Sequence, residues 1–141
     1  MGFQLEIVTP DRSFYSDEVE MVILRGIEGD LAILKNRAPL ITPLDIGKIR
    51  IVKDGKEKVA AVVDGYVTVS KNKTTVITDS AEWPEEINVE RAEEAKERAE
   101  KRLREKPEGL DIDRAEYALK RAINRLEVAN LKKIDDEKFN R

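Results

Sequence analysis

The chain has 141 residues, room for one domain or for a small domain with an appendage. Its formal charge is −3, with 39% of residues charged and 5% aromatic. That balance argues against a nucleic-acid partner, which calls for a basic surplus and aromatic platforms. Without cysteine or histidine the chain has no thiolate nucleophile, no disulfide, and neither the commonest metal ligand nor the commonest general base near neutral pH.

Met1 leads directly into the alternating run "FQLEIVTP", so no signal peptide is expected, and no apolar run is long enough to span a bilayer. Any tie to a membrane then runs through another protein. In "FQLEIVTP" Phe3, Leu5 and Ile7 share one face and Gln4 and Glu6 the other. "VEMVILRG" ends at Gly26, and "GDLAILKNRAPL" follows a Glu28-Gly29-Asp30 turn. "KIRIVKDGKEKVAAVV" places Asp54-Gly55 between two alternating runs, a strong hairpin signal. "DGYVTVSKNKTTVITD" repeats the pattern around Lys71-Asn72-Lys73. Gly29, Gly47 and Gly65 are candidates for backbone angles that side chains disfavour. Turn signals at this density predict an all-β sandwich or barrel over residues 1–84.

After Trp83-Pro84 the period changes. Pro84 blocks strand continuation, Asn88 is a good helix N-cap, and Glu85, Glu86 and Glu90 put negative charge at the positive helix end. Ala92, Ala95, Ala99 and Leu103 form one narrow stripe, and "KPEG" ends the run. Asp111 or Asp113 caps a second helix, Asp113 with Glu116 fitting a capping box. Its stripe is Ala115, Ala118, Leu119, Ala122, Ile123, Leu126 and Ala129. The prediction is an antiparallel α-helical hairpin over 85–133, with a charged tail over 134–141 that frays. A seam of alanines buries little area, so the hairpin is read either as a unit able to detach or as a permanently packed coiled coil.

The order of these elements resembles the epsilon subunit of the rotary F-type ATP synthase. The resemblance rests on "IVTPDRSFYSDEVEMVILRGIEGDLAIL", "APLITPLDIGKIRI", "VVDGYVTVSKNKTTVI" and "DRAEYALKRAINRLEVA", and runs from Leu5 to about Lys132. The chain departs at Asn36-Arg37, where that family commonly has Gly-His, and "KIDDEKFNR" extends past many relatives. The resemblance implies a non-catalytic central-stalk subunit whose β-sandwich binds the gamma subunit and the c-ring. It further implies a hairpin that switches between a compact state and an extended one, the latter inhibiting ATP hydrolysis at the catalytic alpha-beta hexamer. The location implied is peripheral, on the cytoplasmic face of the bacterial plasma membrane, with membrane contact only through the complex.

Some bacterial members bind ATP through Ile/Leu-Asp-x-x-Arg-Ala plus arginines of the second helix. Here the motif reads Ile87-Asn88-Val89-Glu90-Arg91-Ala92, and position matching adds Glu82, Arg98, Arg121 and Arg125. Arg121 and Arg125 stand four apart on one helix face and can converge on phosphates. Arg91 lies near free N–H groups of a first turn, which also favour anions. The resemblance gives Ile87 a purine to pack on and Glu82 an amino group to accept from. ATP is thus expected as a regulatory ligand, and whether magnesium accompanies it stays open. Asn88 caps a helix as Asp does but lacks the charge to anchor an arginine. Against the nucleotide site stands an ion-paired solvated face, with Glu94–Arg98 and Glu97–Lys101 as its pairs.

In the extended state Arg114, Lys120, Arg121 and Arg125 are candidates to meet an acidic segment of the catalytic beta subunit, with Lys132 and Lys133 adding long-range attraction. Glu28 and Asp30 are candidate polar contacts at the c-ring edge, beside "NRAPL"; plain solvated turns are the alternative. The rival functions are an enzyme, for which there is little chemistry, a coiled-coil adaptor without nucleotide, and, least supported, a nucleic-acid module.

Overall fold

The computed structural model describes residues 2–139, with side chains as far as Leu131. The strands, in chain order, are β1 (Phe3–Val8), β2 (Ser13–Val19), β3 (Met21–Gly26), β4 (Gly29–Leu34) and β5 (Leu40–Leu44). They continue as β6 (Gly47–Lys53), β7 (Lys56–Val63), β8 (Gly65–Ser70), β9 (Lys73–Ile77) and β10 (Ser80–Glu82). A short 3-10 turn, Pro84–Glu86, precedes helices α1 (Val89–Glu105) and α2 (Ile112–Phe139). The chain divides into two compact units between Trp83 and Pro84.

In the first unit the strand path is β10-β7-β6-β3-β5-β8-β9-β1-β2, with β4 pairing β3. A single residue pair, Gly26 with Leu44, links β3 to β5, so the path divides there into two halves. Val22, Leu24, Ile49, Ile51 and Val62 from one half and Leu5, Ile7, Val67 and Val76 from the other are buried in one cluster. Two layers around one apolar core make a β-sandwich, as the alternating runs predicted. Burial follows the alternation: Phe3, Leu5 and Ile7 face inward while Gln4 and Glu6 stay half-exposed.

The turn chemistry is legible residue by residue. Asp54 (φ 51°) and Gly55 (φ 73°) join β6 to β7 with both central residues left-handed, the type I′ geometry that matches strand twist. Asn72 (φ 63°) turns β8 into β9. Gly65 has φ 116°, and a Cβ there would lie 1.9 Å from the Ile77 carbonyl oxygen, so angle and space both demand glycine. Gly47 differs from expectation: its φ is ordinary, and the constraint is the Arg25 side chain, 2.5 Å from where its Cβ would stand. Period-2 patterning gave no sign of the parallel pairing of β1 with β9.

The two ends of the strand path, β10 and β2, are joined by side chains. Trp83 stacks on Phe14 with ring centroids 4.4 Å apart and meets the Tyr15 ring edge-on at 6.1 Å. Lys58 Nζ lies 5.5 Å over the indole, and Arg12 donates to the Ala81 carbonyl at 3.4 Å. This cluster fixes the last residue of the sandwich.

In the second unit α2 runs to Phe139, so the charged tail expected over 134–141 begins within this helix. No glycine or proline falls between Ile112 and Phe139, so nothing in the backbone stops the helix. The Lys132 and Lys133 side chains lie outside the described residues.

A surface pair supplies a pH-dependent element in the sandwich. Lys53 donates to the Asp17 carboxylate, which also accepts from the Glu18 N–H at 2.8 Å. The Lys53 bond and then the Glu18 N–H hold the Asp17 carboxyl below its ordinary 3.8, and the bond to Asp17 raises Lys53 above 10.5. The depressed carboxyl contributes stability above its unfolded value and loses it as pH falls through the folded value. The raised ammonium contributes below its unfolded value and loses it as pH climbs through the folded one. Titration of Asp17 by carbon-detected NMR is expected to give a midpoint below 3.8, moving back toward it in Lys53→Met; an unchanged midpoint in that variant would contradict the pairing.

Candidate functional site

Helix α1 begins where the sequence indicated. Asn88 is its N-cap, in extended conformation, and its Oδ1 accepts the Arg91 N–H at 3.1 Å. It ends at Lys106, whose left-handed φ of 49° accompanies a backbone N–H donated to the Arg102 carbonyl at 2.9 Å. Pro107 and Gly109 then reverse the chain. Asp111, and not Asp113, caps α2, accepting the Arg114 N–H at 3.1 Å through Oδ1. The capping box read at Asp113 and Glu116 is not the start of the helix, because Ile112 is already helical.

The seam between the helices is rich in alanine. Ala92, Ala99, Ala115 and Ala122 are all buried, and Leu103, Leu119, Leu126 and Ala129 half-buried. Ala118 and Ile123, expected in the stripe, are exposed, while Asn124 and Val128, which were not expected there, are buried. Small residues leave the facing surfaces shallow, and on one side they floor a groove of about 810 Å³ towards the turn between the helices. Ala95, Ala99, Ala115 and Ala118 line it, with Arg98 and Arg102 from α1 and Arg114 and Arg121 from α2. Glu108, Asp111 and Tyr117 also stand in the wall, beside the turn residues Pro107, Gly109 and Leu110.

The four arginines carry the electrostatics. All are exposed, and among the described residues no carboxylate forms a recorded ion pair with any of them. Asp111 is engaged as a cap. The ion-paired face considered above is represented in α1 by Lys96 and Glu100, 3.7 Å apart, and not by Glu94–Arg98. Arg121 instead rests its guanidinium 5.8 Å from the Tyr117 ring centroid. Guanidinium groups held around one concavity suit a polyanion, since each presents a planar fork of donors to phosphate oxygens.

The expected nucleotide residues are therefore divided. Arg98 and Arg121 share the groove. Ile87 and Ala92 are buried, and the Asn88 oxygen is committed to the helix cap. Arg91 is exposed in the first turn of α1, and Arg125 is half-buried on α2. Glu82 ends β10 in the first unit. Arg102, Arg114 and Tyr117 join the groove without having been assigned to the nucleotide from the sequence; the i, i+4 spacing from Arg98 is the signal by which Arg102 could have been found. Lys120 is exposed on α2. Among the described residues no cluster of acidic side chains is arranged to hold a metal ion.

On the sandwich, Glu28 is exposed at the β3–β4 turn, and Asp30 accepts from Arg25 Nε at 2.8 Å. The turn, with Arg37, Leu40 and Pro43, borders a pocket of about 420 Å³ beside the exposed Ile27. Both acids of that edge are exposed, Asp30 in a surface pair with Arg25 and Glu28 at the turn.

Both units match known families. Residues 2–84 match the ATP synthase delta/epsilon chain β-sandwich domain, and residues 85–130 match the ATP synthase delta/epsilon chain long α-helix domain. An ATP synthase epsilon chain of Alkaliphilus oremlandii is 61% identical over 101 residues, 72% of this chain and 75% of that one. One from Caldanaerobacter subterraneus is 44% identical over 129 residues, 91% of this chain and 94% of the other. A sodium-ion-specific ATP synthase epsilon chain of Acetobacterium woodii is 47% identical over 72% of this chain and 77% of its own. A chain in the mitochondrial ATP synthase structure of Euglena gracilis shares the fold, with a TM-score of 0.79 at 22% identity, covering 91% of this chain and 81% of that one. The chain belongs to the ATP synthase delta/epsilon chain family, as a member of the epsilon type.

The Asn88 cap makes a prediction about the hairpin alone. Asn88→Ala is expected to destabilise the helical signal by about 1 kcal/mol, while Asn88→Asp stays within a few tenths of wild type. Far-UV circular dichroism of thermal unfolding measures both; an unaffected Asn88→Ala would show that the cap is dispensable.

Proposed function

We propose that this chain is a non-catalytic, regulatory subunit of the central stalk of a proton- or sodium-translocating ATP synthase. Its β-sandwich binds the gamma subunit and the c-ring and helps couple their rotation, with Glu28 and Asp30 as polar contacts of the c-ring edge. The hairpin moves between a compact state, stabilised by ATP, and an extended state that inhibits hydrolysis at the alpha-beta hexamer. The match of both units to one family supports the assignment to the complex. The groove rimmed by Arg98, Arg102, Arg114 and Arg121 supports the nucleotide.

The regulatory logic follows from shared residues. Arg121 lies in the groove, and with Arg114, Lys120 and Arg125 it belongs to the basic face offered to an acidic segment of the catalytic beta subunit. A guanidinium that holds a phosphate is withdrawn from a carboxylate, so ATP and the inhibitory contact favour different states of one equilibrium. The chain sits peripherally on the cytoplasmic face of the bacterial plasma membrane, held through the complex. Among the described residues no helix is long and apolar enough to cross a membrane.

In the assembled synthase, ending this chain after Pro84 is expected to raise ATP hydrolysis roughly fivefold or more, the lower range of ordinary allosteric coupling. The steady-state hydrolysis rate of purified enzyme measures it. Unchanged hydrolysis with the truncated subunit incorporated would refute the inhibitory role.

A further inference from the structure

At one end of the sandwich, the connection between β4 and β5 and the β8–β9 turn together border a pocket of about 380 Å³. Arg37 comes from the first loop and Lys71 and Lys73 from the second, and among the described residues no acid stands in its lining. Lys73 pairs with Glu6, outside the lining, at 3.3 Å, Arg37 donates to the Ala32 carbonyl at 3.3 Å, and Lys71 is exposed. Left-handed residues set both loops, Asn36 (φ 67°) and Asn72 (φ 63°), and the Asn72 carbonyl accepts the Gln4 N–H at 3.0 Å, so these cations stand on a defined backbone. Buried Phe3 and Val69 make part of the pocket apolar, and Leu34, 53% exposed, and Pro39 carry that character out to solvent. Cations beside an exposed apolar rim suit the boundary between lipid headgroups and acyl chains, whereas a soluble anion needs only the charges.

We propose that this end of the sandwich contacts the phosphate headgroups of anionic phospholipids. Arg37, Lys71 and Lys73 meet phosphate oxygens, and Leu34 rests at the acyl boundary. The Arg37 guanidinium forks onto phosphate and stays charged at any physiological pH. Arg37 also borders the pocket at the β3–β4 turn, so the patch is continuous with the edge assigned above to the c-ring. The inference rests on that assignment, which brings the patch to the membrane surface, and adds a direct lipid contact to a chain held there through the complex. A formal charge of −3 gives the chain as a whole no attraction to anionic lipid, so the attraction is local.

Sedimentation of the full chain with phosphatidylcholine vesicles, with and without phosphatidylglycerol, at low salt and millimolar lipid tests this. Binding is expected only to the vesicles that contain phosphatidylglycerol. Lys71→Gln is expected to weaken it about fivefold, and Arg37→Gln combined with Lys71→Gln about 25-fold. Lys48→Gln, which makes the same change of charge outside the pocket, is expected to bind as wild type does. Equal binding to neutral vesicles, equal weakening by Lys48→Gln, or no binding to either vesicle overturns the lipid contact and leaves the c-ring reading standing, since the vesicles hold no c-ring. Release by inorganic phosphate but not by chloride of equal ionic strength assigns the pocket to free phosphate and overturns it. Calorimetric heat from an oligoglutamate peptide without vesicle binding assigns the patch to an acidic protein segment and also overturns it. Vesicle binding by a chain that, together with the gamma subunit, fails to retain purified c-ring in detergent overturns the c-ring reading and leaves the lipid contact standing.

Discussion

The small side chains of an alanine-rich seam are the constraint on which the behaviour of the second unit depends. Ala92, Ala99, Ala115 and Ala122 are buried between α1 and α2, and each contributes about one methyl group, roughly 0.8 kcal/mol, where a buried leucine contributes roughly 2–3. The hairpin is therefore well specified in geometry and weakly held in energy. The same smallness creates the groove, because a floor of Ala95, Ala99, Ala115 and Ala118 leaves the space that larger side chains would fill. Four arginines stand at the rim with Glu108 and Asp111 in the same wall, and among the described residues no ion pair joins them. In the proposed nucleotide complex a polyanion would bring counter-charge to these guanidinium groups and bridge both helices.

The sandwich shows the opposite distribution. Its core is made of Leu, Ile, Val and Phe with nearly complete burial, and its two edge strands are joined by the Phe14–Trp83 stack and the Arg12–Ala81 hydrogen bond. Buried polar groups are satisfied too: the Thr78 hydroxyl donates to the Val63 carbonyl at 2.6 Å and accepts from the Val63 N–H at 3.3 Å. Strong packing up to Trp83 and an alanine seam after Pro84 place the step in stability at the boundary between the units.

What the sequence disclosed were the features with local causes. Asp54-Gly55, Asn88 and the alternation in β1 act through neighbours in the chain and can be read without the fold. The pairing of β1 with β9 was hidden because a period of two names a buried face and not the strand beside it. The choice of Asp111 over Asp113 turned on where the backbone enters the helix, two acids at similar positions being equivalent in sequence. Arg98 and Arg121, which line the groove, were singled out through a family motif, whereas Tyr117 in the same wall was not, since an aromatic residue in a charged helix carries no periodic signal. Conversely, Ile87 and Ala92 belong to the motif but are buried, so the motif alone did not show which end of the hairpin offers an open surface.

Hydrogen exchange of the full chain with and without ATP tests most directly whether a weak alanine seam is completed by a polyanion. Amides of α1 and of α2 up to Leu126 are expected to exchange well before those of β1, β8 and β9 without ligand, and to slow when ATP is added while the sandwich stays unchanged. Hairpin amides as protected as the sandwich core, and indifferent to ATP, would contradict the account.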